Sequence, residues 1–188
     1  MMNFINDGSY SNVELEKIHY GFEAIYVFIS KSIVIFIVTY FLGILKYTLL
    51  FLGTYGLIRT FACGLHANKS SVCMIISLII FVIIPYLCKI LIIPWYIKLL
   101  ISAFVLFHIY KFAPADTKKR PIINKNKRKY LKLISIFITI AYLILSFTLN
   151  NHTLCNSLIL AVVLESFMIS PYIYKLFKLP YDNYKSYK

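Results

Sequence analysis

Lys125-Asn-Lys-Arg-Lys-Tyr-Leu-Lys-Leu-Ile-Ser-Ile-Phe-Ile-Thr-Ile-Ala-Tyr-Leu-Ile-Leu-Ser-Phe-Thr-Leu149 sets a dense run of cations directly against an apolar stretch. From Leu131 to Leu149 the one charge is Lys132, at the edge. A helix of about 20 such residues spans a hydrocarbon layer of about 30 Å. Basic residues at the end of such a span mark the side that stays in the cytoplasm. This stretch therefore sets both the medium of the fold and its orientation.

Composition agrees. The 188-residue chain is 60% hydrophobic and only 14% charged, with a mean hydropathy of +0.76. Too little polar material is present to cover a soluble surface. The length fits one domain, residues 1–188, with no boundary inside it. We expect an all-α integral membrane protein, a multi-pass bundle of about 4–6 transmembrane helices. The net charge of +13 sits in segments flanking apolar blocks, with little of the aromatic interleaving of a strand-binding groove. It orients the chain in the bilayer and argues against nucleic acid as a partner. The four cysteines show no zinc-type spacing, so neither a metal nor another cofactor is expected. The start, with Asn3, Asn6, Asp7 and Gly8, lacks the basic and apolar regions of a cleaved signal peptide.

The other blocks follow on either side. Ser11 and Glu14 fit a capping box, and Leu15, Ile18, Phe22, Ile25 and Ile29 recur at helical spacing, with Glu14, Lys17 and Gly21 on another face. This predicts an amphipathic helix over about residues 11–31, lying in the membrane interface or packed on the bundle. From Ile33 to Ile58 the chain is long for one crossing and short for two, and Gly43 and Lys46 predict a break near its middle. Met74 to Leu87 and Ile90 to Phe112 form two more blocks, with Pro85 and Pro94 read as bracketing the turn between them. Leu154 to Tyr174 crosses back after the uncharged turn at residues 150–153. The basic loop of about residues 113–130 is cytoplasmic. Counting crossings from it puts Cys73 at the cytoplasmic surface and Cys88 and Cys155 near outer turns, where an external thiol reagent would find them.

Chemistry concentrates in residues 59–73, Arg-Thr-Phe-Ala-Cys-Gly-Leu-His-Ala-Asn-Lys-Ser-Ser-Val-Cys. A thiol becomes a nucleophile when ionised beside a base, and imidazole supplies that base near neutral pH. Gly64 lets the backbone turn before His66. With Ser70 as N-cap, Cys73 falls in the first turn of a helix, where free N–H groups and the dipole favour a thiolate, and Lys69 adds positive charge. Cys63, three residues before His66, is the rival thiol. Cys73 could equally be a small core residue, and His66 an interfacial histidine held by a carbonyl. Arg59 is open to three roles: snorkelling to headgroups, holding a substrate carboxylate, or orienting the loop through carbonyls. Glu165, a carboxylate inside an apolar span, should face the bundle interior, either neutral or paired with a base or with His66. Asp116, beside Pro114, reads as a loop anchor.

Arg59, Gly64, His66, Ala67 and Cys73 form the pattern R-x4-G-x-H-A-x5-C, and Ala113 to Ile122 reads Ala-Pro-Ala-Asp-Thr-Lys-Lys-Arg-Pro-Ile. In these two motifs, and in its sequence of hydrophobic blocks, the chain resembles the AgrB-like membrane endopeptidases of bacterial quorum sensing. The resemblance implies a cysteine endopeptidase with Cys73 as nucleophile and His66 as base. It implies a short AgrD-like propeptide as substrate, with an amphipathic half and an acidic tail, and it suggests a homodimer. Cleavage would pass through a thioester that an internal nucleophile of the peptide then closes into a macrocycle. A reading of another class is a non-enzymatic transporter or export component for a small peptide, with Glu165 and the interrupted helices marking a pathway.

Overall fold

Apolar sequence in a bilayer must satisfy its own backbone, and this chain does so almost wholly as helix. The computed structural model describes residues 12–65, 70–117 and 121–187. Its helices are α1 (Asn12–Phe41), α2 (Leu45–Ala62), α3 (Ser70–Ile90), α4 (Trp95–Phe112), α5 (Lys125–Thr148), α6 (His152–Met168) and the short α7 (Pro171–Leu176), followed by a 3-10 turn at Asn183–Tyr187. No named strand occurs among the described residues. Three helices, α3, α4 and α5, are long and apolar enough to cross a membrane, and residues 25–41 and 152–168 are shorter apolar helices. The chain is a multi-pass helical membrane protein.

The helix expected over residues 11–31 is present from Asn12 and continues without interruption to Phe41. Past the polar Ser30, Lys31 and Ser32 the sequence is again largely apolar and supplies no stop signal before Gly43. The break expected near Gly43 and Lys46 lies at residues 42–44, where Gly43 adopts φ +65°, a conformation favoured by glycine. Pro85 departs from expectation: it lies inside α3 rather than ending it. A proline there removes the bond to the carbonyl four residues back. That carbonyl, of Phe81, lies 3.5 Å from the Thr48 hydroxyl of α2, which shares its one proton with the Ile44 carbonyl at 3.2 Å. The turn falls at residues 91–94, and Pro94 is the N-cap of α4. The last crossing also ends early. Ile169 and Ser170 separate α6 from α7, which Pro171 opens at its first position.

Helix α6 is the centre. It packs against α2, α3, α4 and α5, and nearly all of its length from Cys155 to Ser166 is buried. Small residues such as Ser157, Ala161 and Ser166 let neighbouring backbones approach. Polar side chains bind the bundle: Thr54 and Ser157 hydroxyls lie 2.8 Å apart, the Tyr142 hydroxyl donates to the Thr54 carbonyl, and Asn156 donates to the Cys88 and Leu91 carbonyls at the end of α3. Cys88 and Cys155 are each 1% exposed. Both lie near the turns expected to face outward, but the bundle covers them, against the expectation that external reagent reaches them. Large apolar side chains such as Ile79, Leu100, Phe107, Phe137 and Ile144 cover the outside, as a lipid-facing surface requires.

A clamped loop and a thiol at a helix start

The end of α2 is held by its own arginine. Arg59, in the last turn, donates from Nη1 to the Glu165 carboxylate of α6 at 3.5 Å and from Nη2 to the Leu65 carbonyl. Glu165 is completely buried, so its charge needs such a partner. Of the roles open to Arg59, the one seen is a carbonyl contact that orients the loop, and Glu165 faces the interior with a basic partner.

The loop backbone is fixed on two more sides. Gly64 N–H donates to the Ala115 carbonyl at 2.8 Å, Ala115 N–H donates to the Ala62 carbonyl at 3.1 Å, and Leu65 N–H donates to the Met168 carbonyl at 3.0 Å. Cys63 and Ala115 thus pair as an isolated bridge. Gly64 has φ +102°, and a Cβ there would collide with Arg59 Nη1 and stand 2.9 Å from the Met168 carbonyl oxygen. Only glycine fits. The chain therefore leaves Leu65 in a set direction.

Beyond it, His66 and Lys69 lie outside the described residues, so the expected histidine–thiol pair has no geometry here. Cys73 is described. It is half-buried in the first turn of α3, which begins at Ser70 itself, so that Ser70 is the first helical residue and not the N-cap expected. Its Sγ accepts from Lys31 Nζ of α1 at 3.2 Å, and the same ammonium donates to the Ser77 hydroxyl one turn on, also at 3.2 Å. Sequence reading missed Lys31. The signal was a lone cation within the apolar run between Ile25 and Phe41, where charge is costly.

Cys63, the rival thiol, has positive φ, 62°, and lines an open cavity of about 700 Å³ with Arg59, Gly64, Asp116, Asn124 and Lys127. Asp116 is an anchor. It is 2% exposed and accepts from the Asn183 and Tyr184 backbone N–H groups at 2.9 and 2.8 Å, while its carbonyl accepts from the Tyr174 hydroxyl at 3.0 Å. Arg128 lies 3.9 Å from the same carboxylate and stacks over the Tyr184 ring at 3.7 Å. Burial pushes the Tyr181 phenol up to about 12, and the neighbouring Asp182 charge adds to the shift. Among the described residues no cluster of His, Cys, Asp or Glu could hold a metal ion.

Comparison with known proteins converges on one group. The family model described as Accessory gene regulator B matches residues 1–169. A putative AgrB-like protein of Clostridium acetobutylicum is 31% identical over 176 residues, covering 94% of this chain and 84% of that one. Another, of Listeria innocua, is 30% identical over 172 residues, covering 92% and 84%. Accessory gene regulator protein B of Staphylococcus epidermidis is 36% identical over 162 residues, covering 85% and 81%. No solved structure matches the chain. With a family match running from residue 1 to residue 169 and relatives aligned over most of both chains, this protein belongs to the accessory gene regulator B (AgrB) family.

Proposed function

We propose that this member of a quorum-sensing family is a membrane cysteine endopeptidase that cleaves the acidic tail from a short AgrD-like propeptide at the cytoplasmic face of the cell membrane. The observation that carries the reading is the placement of Cys73 in the first turn of α3, just across a short connection from a loop clamped by Arg59, Gly64 and Met168. The connection, residues 66–69, contains His66 and Lys69.

In this mechanism Cys73 Sγ gives its proton to His66 and attacks the scissile carbonyl carbon. The tetrahedral species collapses as His66 protonates the leaving amine, which departs with the acidic tail. The product is a thioester between Cys73 and the N-terminal part of the peptide. A nucleophilic side chain within that peptide then attacks the thioester carbonyl, forming the ring and returning the thiol. Exclusion of bulk water favours ring closure over hydrolysis. Arg59 and Gly64 set the loop, Glu165 holds Arg59, and Lys69 adds local positive charge. The contact of Glu165 with Arg59 inside the packed α6 favours a supporting role for that carboxylate at the loop.

The test is processing of a tagged propeptide co-expressed with single variants. Cys73→Ser abolishes it with membrane insertion intact, whereas Cys63→Ser, Cys88→Ser and Cys155→Ser retain it. His66→Ala lowers the initial rate per inserted molecule by about 10²-fold or more. Processing by Cys73→Ser with loss in Cys63→Ser would move the role to Cys63.

A further inference from the structure

We propose that Lys31, on the first helix, is the residue that holds the Cys73 sulfur as a thiolate, so that α1 is part of the active site. The inference rests on the reading of Cys73 as the nucleophile and adds to it a charge supplied 42 residues away in sequence.

Lysine side chains in apolar helices usually extend toward headgroups and water. Lys31 does not. Its half-buried side chain crosses from α1 to α3, and Nζ stands 3.2 Å from both Cys73 Sγ and Ser77 Oγ. Cys73 and Ser77 are four residues apart, hence on one face of α3, and the ammonium bridges that face. An ammonium has three donors and no acceptor, and a neutral thiol is a poor acceptor. A cation whose described partners are a thiol and a hydroxyl is therefore best compensated when the thiol is ionised.

On α1 the side chains of Glu14, Lys17, His19 and Glu23 lie outside the described set. Among the described side chains, the other charged groups on the helices packed against α3 stand away from the sulfur. On α2, Arg59 holds Glu165 of α6 and the Leu65 carbonyl. Lys46 lies in the first turn of α2, at the opposite end of the bundle, and Lys89 of α3 sits over the Tyr47 ring at that same end. His66 and Lys69 lie outside the described residues. Lys31 is the charged group seen in contact with the sulfur.

The chemistry balances simply. The Sγ proton passes to the general base, Lys31 keeps its own proton throughout, and the negative charge on sulfur is held by the ammonium. The same contact assists the second half of the reaction. When the internal nucleophile attacks the thioester, the carbon–sulfur bond breaks with its electron pair on sulfur, and a stabilised thiolate leaves faster. Ser77 keeps the ammonium in place.

The experiment measures alkylation of Cys73 by iodoacetamide against pH in the full-length detergent-solubilised protein, quantified on the Cys73 peptide by mass spectrometry. Lys31→Met keeps the apolar stem and removes the charge. It should shift the profile to higher pH and lower the rate at pH 7 roughly tenfold, the usual scale of a lost neighbouring cation. Lys31→Arg, which keeps the charge, should restore most of the rate, and a purely structural lysine would not produce that pattern. Lys31→Gln serves as the neutral variant should Lys31→Met fail to fold. A folded neutral variant whose profile superimposes on the wild type overturns the proposal. So does equal loss in Lys31→Arg and the neutral variant. The alkylation readout needs no propeptide. A shifted profile with processing retained in Cys73→Ser would uphold the Lys31 contact while sinking the protease reading.

Discussion

Arg59 holds two things at once, a carboxylate of another helix and a carbonyl of its own loop. Those two jobs separate in a mutant cycle. Arg59→Met leaves the fully buried Glu165 without its cation, and breaking a buried pair from one side costs about 3–5 kcal/mol. The double variant Arg59→Met, Glu165→Leu removes both charges and should recover most of that stability in thermal unfolding. It should not recover propeptide processing, because the loop carbonyl still lacks its donor. Processing restored along with stability would show that the pair only holds helices together. At this scale the sequence was partly legible. Arg59, Gly64 and Glu165 stand out by chemistry, since a charge within an apolar block or a glycine before a histidine is conspicuous. Their mutual contact was not readable, because Glu165 lies 106 residues from Arg59 and only the packed bundle joins them. Lys31 was hidden for the same reason: one lysine at a helix position looks like a headgroup contact until α3 is laid beside it.

Among the elements, the C-terminal tail is the clearest case of a segment held by one side chain. Asp116 accepts two backbone N–H bonds from Asn183 and Tyr184, and hydrogen bonds to a charged group are worth about 1.5–3 kcal/mol each. Asp116→Ala should release residues 181–187, and trypsin should cut the solubilised protein after Lys185 at least several-fold faster while α1–α6 stay intact. An unchanged cleavage rate would mean that the Arg128 stack on Tyr184 suffices. The anchoring role of Asp116 was legible from its place beside Pro114. The break at Gly43 was legible too, because a glycine and a cation interrupt an apolar run. Pro85 misled because proline in a soluble helix is a stop signal, whereas inside a bundle the Thr48 hydroxyl lies beside the carbonyl that Pro85 leaves bare. The central position of α6 left only a faint trace: Asn156, Ser157, Glu165 and Ser166 are polar residues that an apolar helix tolerates only when surrounded by protein.

For the whole molecule, the charge pattern predicts sidedness that chemistry can check. The residues 91–94 connection should face outward, and Ile92 there is 81% exposed. In intact cells a membrane-impermeant maleimide should label Ile92→Cys and leave Cys73 untouched. Permeabilisation should then expose Cys73, while Cys88 and Cys155, each 1% exposed, stay unlabelled in both states. Cys73 labelled in sealed cells would invert the topology and separate the thiol from a cytoplasmic propeptide. The most direct test of the central claim is the intact mass of the solubilised protein during turnover of a synthetic propeptide. The account predicts a transient adduct equal to the N-terminal fragment, mapped to Cys73, released by hydroxylamine as a thioester is, and absent from Cys73→Ser. An adduct mapped to Cys63, or continued processing by Cys73→Ser, would contradict it.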